Sequence, residues 1–293
     1  MNKKIVIFGE VLFDCFPDGK KTLGGAPFNV AWHLQAFNAH PLLISRVGND
    51  TEGGQILLAM KEWGMQAAGI QRDQFHPTGR VEVSFNQGEP EYDIVENSAW
   101  DFIDVKQLPE VSEGFLLYHG SLAQRSQQSQ DTLTKLQQQN SAECFVDVNL
   151  RPPWIKPELI SALTNDAKWL KVNEQELDSF SNLDPEKGET IFSENNNLEL
   201  VLITRGSNGA QLITKSGFQF HTHPESDVSV VDTVGAGDAF SSIFLLGLLN
   251  KWPFEVIMQR ASEFASAVVA IRGAVSSDGN FYQKFIDSWG LFN

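Results

Sequence analysis

Short, mostly apolar runs recur along this chain at Ile5–Phe8, Leu42–Val47, Phe115–Tyr118, Cys144–Val148, Trp169–Val172 and Leu200–Thr204. A run without polar alternation is what a strand needs when both faces of its sheet are covered, as in parallel sheets. Between the runs the period changes to that of a helix. Ile56, Leu57, Met60 and Trp63 mark one apolar face closed by Gly64, Leu133 and Leu136 mark another in a Gln-rich stretch, and Glu255 to Ile271 reads as a long Ala-rich helix ended by Gly273-Ala274. Alternating strands and helices predict an α/β fold, a doubly wound and mostly parallel sheet with helices on both faces. One stretch breaks the pattern. Val81, Val83 and Phe85 alternate with Glu82, Ser84 and Asn86, a turn at Gln87-Gly88-Glu89-Pro90 follows, and Tyr92, Ile94 and Val95 continue, which predicts an antiparallel hairpin set into the α/β chain. With no repeat and no linker, the 293 residues are expected to form one domain carrying a small β lid, contributed by about 12–22 and 78–97.

Charge narrows the partners. The 37 acidic and 22 basic side chains give a net charge of −15, and no Lys/Arg run offsets it locally. Nucleic acid and anionic membranes are therefore disfavoured, and a polyphosphate ligand is expected to arrive with Mg²⁺ and be held by local dipoles. Cys15 and Cys144 stand alone in no metal-like spacing. Together with the absence of a signal-like or membrane-length apolar run, this predicts a cytoplasmic protein.

The stretch Val231-Asp232-Thr233-Val234-Gly235-Ala236-Gly237-Asp238-Ala239-Phe240 carries the sharpest chemistry. It is a small-residue loop entering an apolar helix. Backbone N–H groups of Gly235, Ala236 and Gly237 can approach an anion closely, and the helix N-terminus adds its positive end. Asp238 either caps the helix or takes a proton from an incoming hydroxyl. Near the first strand, Asp14 sits where open α/β sheets place ligand groups. Gly24-Gly25 turns into a helix with Pro27 at its first position, and Asn29 can donate to and accept from hydroxyls. Arg151, after Cys144–Val148, is placed to meet a phosphate or polar substrate, or to form a surface ion pair. Asn173 and Glu176 share a helical face, as a capping pair or as a polar pair reaching Mg²⁺-bound waters. The turn Thr204-Arg205-Gly206-Ser207-Asn208-Gly209 is a further phosphate or ribose contact, or a hairpin.

Taken together, these motifs are similar to those of the ribokinase-like (PfkB-type) carbohydrate kinases over essentially the whole chain. The match lies in Gly9-Glu10-x3-Asp14, Gly24-Gly25-Ala26-x-x-Asn29-x-Ala31, Asn173-x-x-Glu176, Thr204-x-Gly206-x-x-Gly209 and Asp232-Thr233-x-Gly235-Ala236-Gly237-Asp238-x-Phe240, in that order. The resemblance implies a ribokinase-like fold and ATP-dependent phosphorylation of a sugar. Asp238 would be the base, with Gly235, Ala236 and Gly237 as the anion hole. Asp14, Gly24, Gly25 and Asn29 would hold sugar hydroxyls. Asn173 and Glu176 would organise Mg²⁺ and phosphates through water, and Thr204, Arg205, Gly206 and Gly209 would border the nucleotide. In such kinases the hairpin closes over the sugar, and two lids sometimes clasp into a homodimer.

The phrases around Asp14, Leu23-Gly24-Gly25-Ala26-Pro27, Asp147-Val148-Asn149-Leu150-Arg151-Pro152-Pro153-Trp154 and Asn97-Ser98-Ala99-Trp100 look most like fructokinases, so fructose is the expected substrate. Ribose, 2-keto-3-deoxygluconate and nucleosides are alternatives, and a catalytically silent sugar-binding homologue is an alternative of another class. Sugar phosphates are disfavoured because the lid lacks an Arg/Lys cluster. Val234 stands where a small hydroxyl residue is frequent, and Val275-Ser276-Ser277 lacks the usual proline. Both departures lie where some relatives bind a monovalent cation such as K⁺, which here would involve Asp232. A dehydrogenase is disfavoured, since the first turn is Gly9-Glu10 rather than GxGxxG.

Overall fold

In the computed structural model Ile5–Phe8 is strand β1, an interior strand of a nine-stranded sheet. The structure describes every residue except 1–2, 87–88, 112–113, 139–141, 178, 180–191, 193–196, 225–227 and 292–293. The other strands of this sheet are β4 (Leu42–Gly48), β5 (Ile70–Asp73), β8 (Leu116–His119), β9 (Glu143–Asp147), β10 (Trp169–Asn173), β11 (Leu200–Thr204), β12 (Ala210–Thr214) and β13 (Gln219–Thr222). Their spatial order is β13-β12-β11-β10-β9-β8-β1-β4-β5. All neighbours from β5 to β11 are parallel, and β12 and β13 add antiparallel strands at one edge.

The apolar runs are explained by burial on both faces. Ile5 and Ile7 of β1 enter one hydrophobic layer, while Val6 and Phe8 enter the other. Every one of these side chains is at most 1% exposed, a burial that stabilises by roughly 1.5–3 kcal/mol per large side chain. The first layer is closed by α1 (Ala26–Ala36), α6 (Ala236–Asn250), α7 (Phe254–Val268) and α8 (Gly279–Ser288), and the second by α3 (Gln127–Gln138) and α4 (Pro157–Asp166). A further helix, α2 (Thr51–Glu62), packs Ile56 and Met60 into the first layer, and its N-cap Asp50 accepts from Gly53 N–H at 2.8 Å.

Chain order reverses between β1 and β8. From β1 the chain winds outward through β4 and β5, then returns to β8 and winds the other way. The crevice outside the carboxyl ends of these strands is the place where such sheets bind ligands.

A second sheet, ordered β3-β2-β6-β7, consists of Leu12–Cys15 (β2), Lys21–Gly24 (β3), Gly79–Asn86 (β6) and Glu89–Ile94 (β7). The expected hairpin pairs Val83 with Tyr92 and Ser84 with Glu91. Of the expected turn, Glu89 and Pro90 belong to β7, and Gln87 and Gly88 lie outside the described residues. The exit of β7 is clamped by Arg125, which donates to Val95 O at 2.7 Å and pairs with Asp101 at 2.7 Å while stacked between Trp100 and Trp154.

Candidate active site

The loop 231–235 enters α6 through Gly235, the helix N-cap, at φ 82° and ψ −4°. That left-handed conformation favours glycine, and a Cβ there would collide with Ala274. Ala274 follows Gly273, whose N–H donates to Asp232 Oδ2 at 3.0 Å, so the segment after α7 buttresses the turn. At the helix entry Ala236 N–H makes a long bond to Thr233 O at 3.4 Å, and the first bond of α-helical span is Ala239 N–H to Gly235 O at 2.8 Å. The N–H groups of Gly237 and Asp238 therefore project from the helix end, where an anion can take them.

Asp238, in the first turn of α6, is half-buried and accepts from Asn29 Nδ2 at 2.8 Å. Asn29 is held at the start of α1, where its N–H donates to Gly25 O at 2.9 Å. Its Oδ1 is buried without a hydrogen-bond partner among the described residues, an acceptor that a ligand hydroxyl would satisfy. Gly25 has φ 106°, and a Cβ on it would lie 2.8 Å from Glu10 O. Pro27 is the second residue of α1, not the first as expected, because Ala26 opens the helix and gives its N–H to Glu10 Oε1 at 3.2 Å.

Burial raises the Asp238 carboxyl to about 6; the Asn29 hydrogen bond opposes the rise, Asp147 adds to it, and Lys171 and Arg151 oppose it. An aspartate near 6 is a better proton acceptor than an ordinary one yet is mostly ionised at neutral pH. Asp14 on the small sheet is half-buried, and burial raises it to about 6. Glu10, 4% exposed, is raised to about 7, chiefly by burial, with Asp238 adding to the rise and Arg151 opposing it.

Asn173 and Glu176 form the reciprocal capping arrangement. Asn173 N–H donates to Glu176 Oε2 and Glu176 N–H to Asn173 Oδ1, both at 2.9 Å, while Leu150 N–H donates to Glu176 Oε1 at 2.7 Å. Glu176 thus ties the end of β10 to the loop holding Arg151. Arg151 is exposed, and its charge reaches both Asp238 and Glu10. Asn173 and Thr204 are register partners on β10 and β11. The turn 205–209 is the hairpin between β11 and β12, with Arg205 bonded to Gln211 at 2.9 Å. Among the described residues no three His, Cys, Asp or Glu gather into a metal cage. A divalent ion would be held by one or two carboxylates and by ligand oxygens, which is how Mg²⁺ usually binds. Asp232 spends one oxygen on Val234 N–H and the other on Gly273 N–H, both at 3.0 Å.

The sequence model of the pfkB family carbohydrate kinases matches residues 2–279. The chain belongs to this family. A fructokinase of Salmonella typhimurium is 30% identical over 264 residues, covering 85% of each chain. Among solved structures, aminoimidazole riboside kinase of Salmonella enterica, complexed with aminoimidazole riboside and an ATP analogue, aligns with a TM-score of 0.84 and 22% identity over 97% of this chain and 100% of the other. A fructokinase double mutant of Vibrio cholerae in fructose, ADP and potassium ion bound form aligns with a TM-score of 0.82 and 22% identity, over 96% and 98%. As a carbohydrate kinase, this chain is a phosphotransferase with an alcohol acceptor.

Sequence reasoning missed three groups at this candidate site. Glu10 and Asp147 stand inside the phrases that carry the resemblance but were given no role, and Lys171 was passed over inside a strand run. The signal was there: a charged residue within an otherwise apolar, doubly buried strand needs a partner.

Proposed function

We propose that this pfkB-family carbohydrate kinase transfers the γ-phosphoryl group of ATP to the 6-hydroxyl of D-fructose, with Asp238 accepting the hydroxyl proton. The observation that carries this reading is the Asn29–Asp238 hydrogen bond of 2.8 Å, which sets a half-buried carboxylate beside the free N–H groups of the α6 turn. Gly235, Ala236 and Gly237 receive the transferred phosphoryl group, where oriented N–H donors stabilise charge as it develops. Asp14, Gly24, Gly25 and Asn29 hold the sugar, and Arg151 approaches it from the β9 side. Asp238 orients the hydroxyl first and takes its proton late.

Asn173, Thr204, Arg205, Gly206 and Gly209 border the nucleotide. Glu176 holds Mg²⁺ through water, since both its oxygens already accept backbone N–H groups and keep only their remaining lone pairs. Mg²⁺ supplies neutralisation of phosphate charge. A monovalent cation near Asp232 is supported by the potassium-bound Vibrio neighbour.

The small sheet acts as a lid over the sugar. Its residues Phe85 and Tyr92 are 58% and 57% exposed, which supports a homodimer formed through this face. Among the described residues no helix is long and apolar enough to cross a membrane, in keeping with a cytoplasmic place of work.

The test is ADP release from ATP and Mg²⁺ with fructose, ribose, 2-keto-3-deoxygluconate and a nucleoside, followed by product analysis. Fructose is expected to respond most strongly, giving fructose 6-phosphate. A stronger response to another acceptor moves the specificity, and no response to any acceptor indicates a silent homologue.

A further inference from the structure

Behind the anion-binding turn lies a buried ion pair that none of the motifs contains. Lys171 and Asp147 are register partners on β10 and β9, and Lys171 Nζ donates to Asp147 Oδ1 at 2.9 Å and Oδ2 at 2.7 Å. Their side chains are only 7% and 5% exposed. Asp147 Oδ2 also accepts from Ser241 Oγ of α6 at 2.8 Å and from Tyr118 OH of β8 at 3.2 Å. Ser241 stands one turn beyond Gly237, with its Oγ 2.9 Å from Gly237 O. A Cβ built on Gly237 would lie 3.4 Å from Lys171 Nζ, its one contact within 4 Å among the described residues outside its chain neighbours and the backbone of its own helix. The ammonium, rather than the carboxylate, is the member of the pair against Gly237.

Stability alone accounts poorly for this pair. A buried ion pair can often be replaced by packed apolar residues with neutral or favourable effect, and the preceding same-face positions on these strands, Phe145 and Trp169, are apolar core residues. What the pair supplies is charge at a chosen place. We infer that Lys171, held by Asp147, is a positioning residue for phosphoryl transfer: from behind Gly237 its ammonium strengthens the positive field of the α6 turn, and it offsets the negative charge that Asp147 lays on Asp238. The inference rests on the reading of Asp238 and Gly235–Gly237 given above.

The charges facing Asp238 fix the sign of the test. Asn29 faces it from α1, Glu10 from the end of β1, Tyr118 from β8, Asp147 from β9, Arg151 from the loop after β9 and Lys171 from β10. Asp147 raises the Asp238 carboxyl somewhat more than Lys171 lowers it. Removing Lys171 alone leaves Asp147 uncompensated, so the acid limb of turnover moves to higher pH. Removing both charges returns the limb to the wild-type position or just below it, while the turn still lacks its cation.

The experiment compares wild type, Lys171→Met and Lys171→Met/Asp147→Leu with ATP, Mg²⁺ and the sugar that wild type accepts, across about pH 5 to 9. Both variants are expected to lose about tenfold or more in kcat, with the sugar KM held within about threefold, as befits an interaction made mainly in the transition state. The limb should rise by about half a pH unit or more in Lys171→Met and return in the double variant. Lys171→Met leaves a buried carboxylate unpaired and risks misfolding; the double variant leaves no buried charge, costs only the hydrogen bonds of Tyr118 OH and Ser241 Oγ to Asp147, and then carries the test through its kcat. A double variant that turns over within about twofold of wild type overturns the inference, as does a folded Lys171→Met with an unmoved limb. Wild type that phosphorylates no sugar overturns instead the reading on which the inference rests.

Discussion

Asn29 Nδ2 donates to Asp238 Oδ2 at 2.8 Å across 209 residues of chain, joining the first turn of α1 to the first turn of α6. The bond fixes one carboxyl oxygen and stabilises the ionised form, opposing the effect of burial. Asn29→Ala removes the clamp and, on the proposed reading, a sugar contact. The sugar KM is expected to rise about tenfold, and the acid limb of kcat/KM to move to higher pH, because a hydrogen bond that favoured the carboxylate has gone. Steady-state kinetics over a pH series reads both; an unmoved limb would detach Asn29 from Asp238.

Wild type itself should show that limb. With Asp238 raised to about 6, kcat/KM is expected to fall below about pH 6 and to level off above it, since the base must be ionised. Asp14 is raised to about 6 as well, so the fall should be steeper than one proton requires, and Asp14→Asn should reduce it to a single-proton slope while raising the sugar KM. A profile flat down to about pH 4.5 would contradict the raised carboxyls.

Glu10 makes a prediction about stability. Its carboxyl is raised from 4.5 to about 7 in the folded chain, so the folded state holds the proton more tightly than the unfolded one. Below about pH 4.5 both states keep it and nothing is lost; between 4.5 and 7 stability falls, and above 7 the full cost, on the order of 3 kcal/mol, is in place. Glu10→Gln keeps an acceptor for Ala26 N–H without the charge. Urea denaturation should find it more stable than wild type at about pH 8 and equal at about pH 4. The same difference at both pH values would place the effect in packing instead.

Gly235→Ala tests the turn. At φ 82°, with Ala274 against the Cβ position, the substitution should cost about 1–2 kcal/mol for the backbone and more for displacing Ala274. If the turn carries the anion-binding N–H groups as proposed, activity should fall further than stability does. Denaturation and kinetics measured together separate the two, and an active, equally stable variant would rule out the turn as the anion site.

Much of this was legible in the sequence for physical reasons. Ile5–Phe8 could be read as a doubly buried strand because lack of alternation leaves no face for water. The small-residue turn into a buried helix at Gly235 could be read because Gly235, Ala236 and Gly237 directly precede an apolar run. Local signals failed where partners are distant in sequence. The strand Lys21–Gly24 has no apolar pattern of its own and exists through pairing with β2, and β12 and β13 are antiparallel strands added at one side of the sheet after a turn that also resembled a ligand loop. The Ala-rich helix stops at Val268 rather than Ile271, since the segment after it must turn to deliver Gly273 and Ala274 to Asp232 and Gly235. Lys171 and Asp147 looked like single charges in separate strands, and only register makes them a pair.

The most direct test of the account is Asp238→Asn, which keeps the Asn29 contact and the shape of the turn while removing the base. Calorimetric titration of ATP and fructose should give affinities within about threefold of wild type, and fructose-dependent ADP release should fall by about two orders of magnitude or more. Turnover within a few-fold of wild type would contradict the assignment of Asp238 as the group that takes the proton.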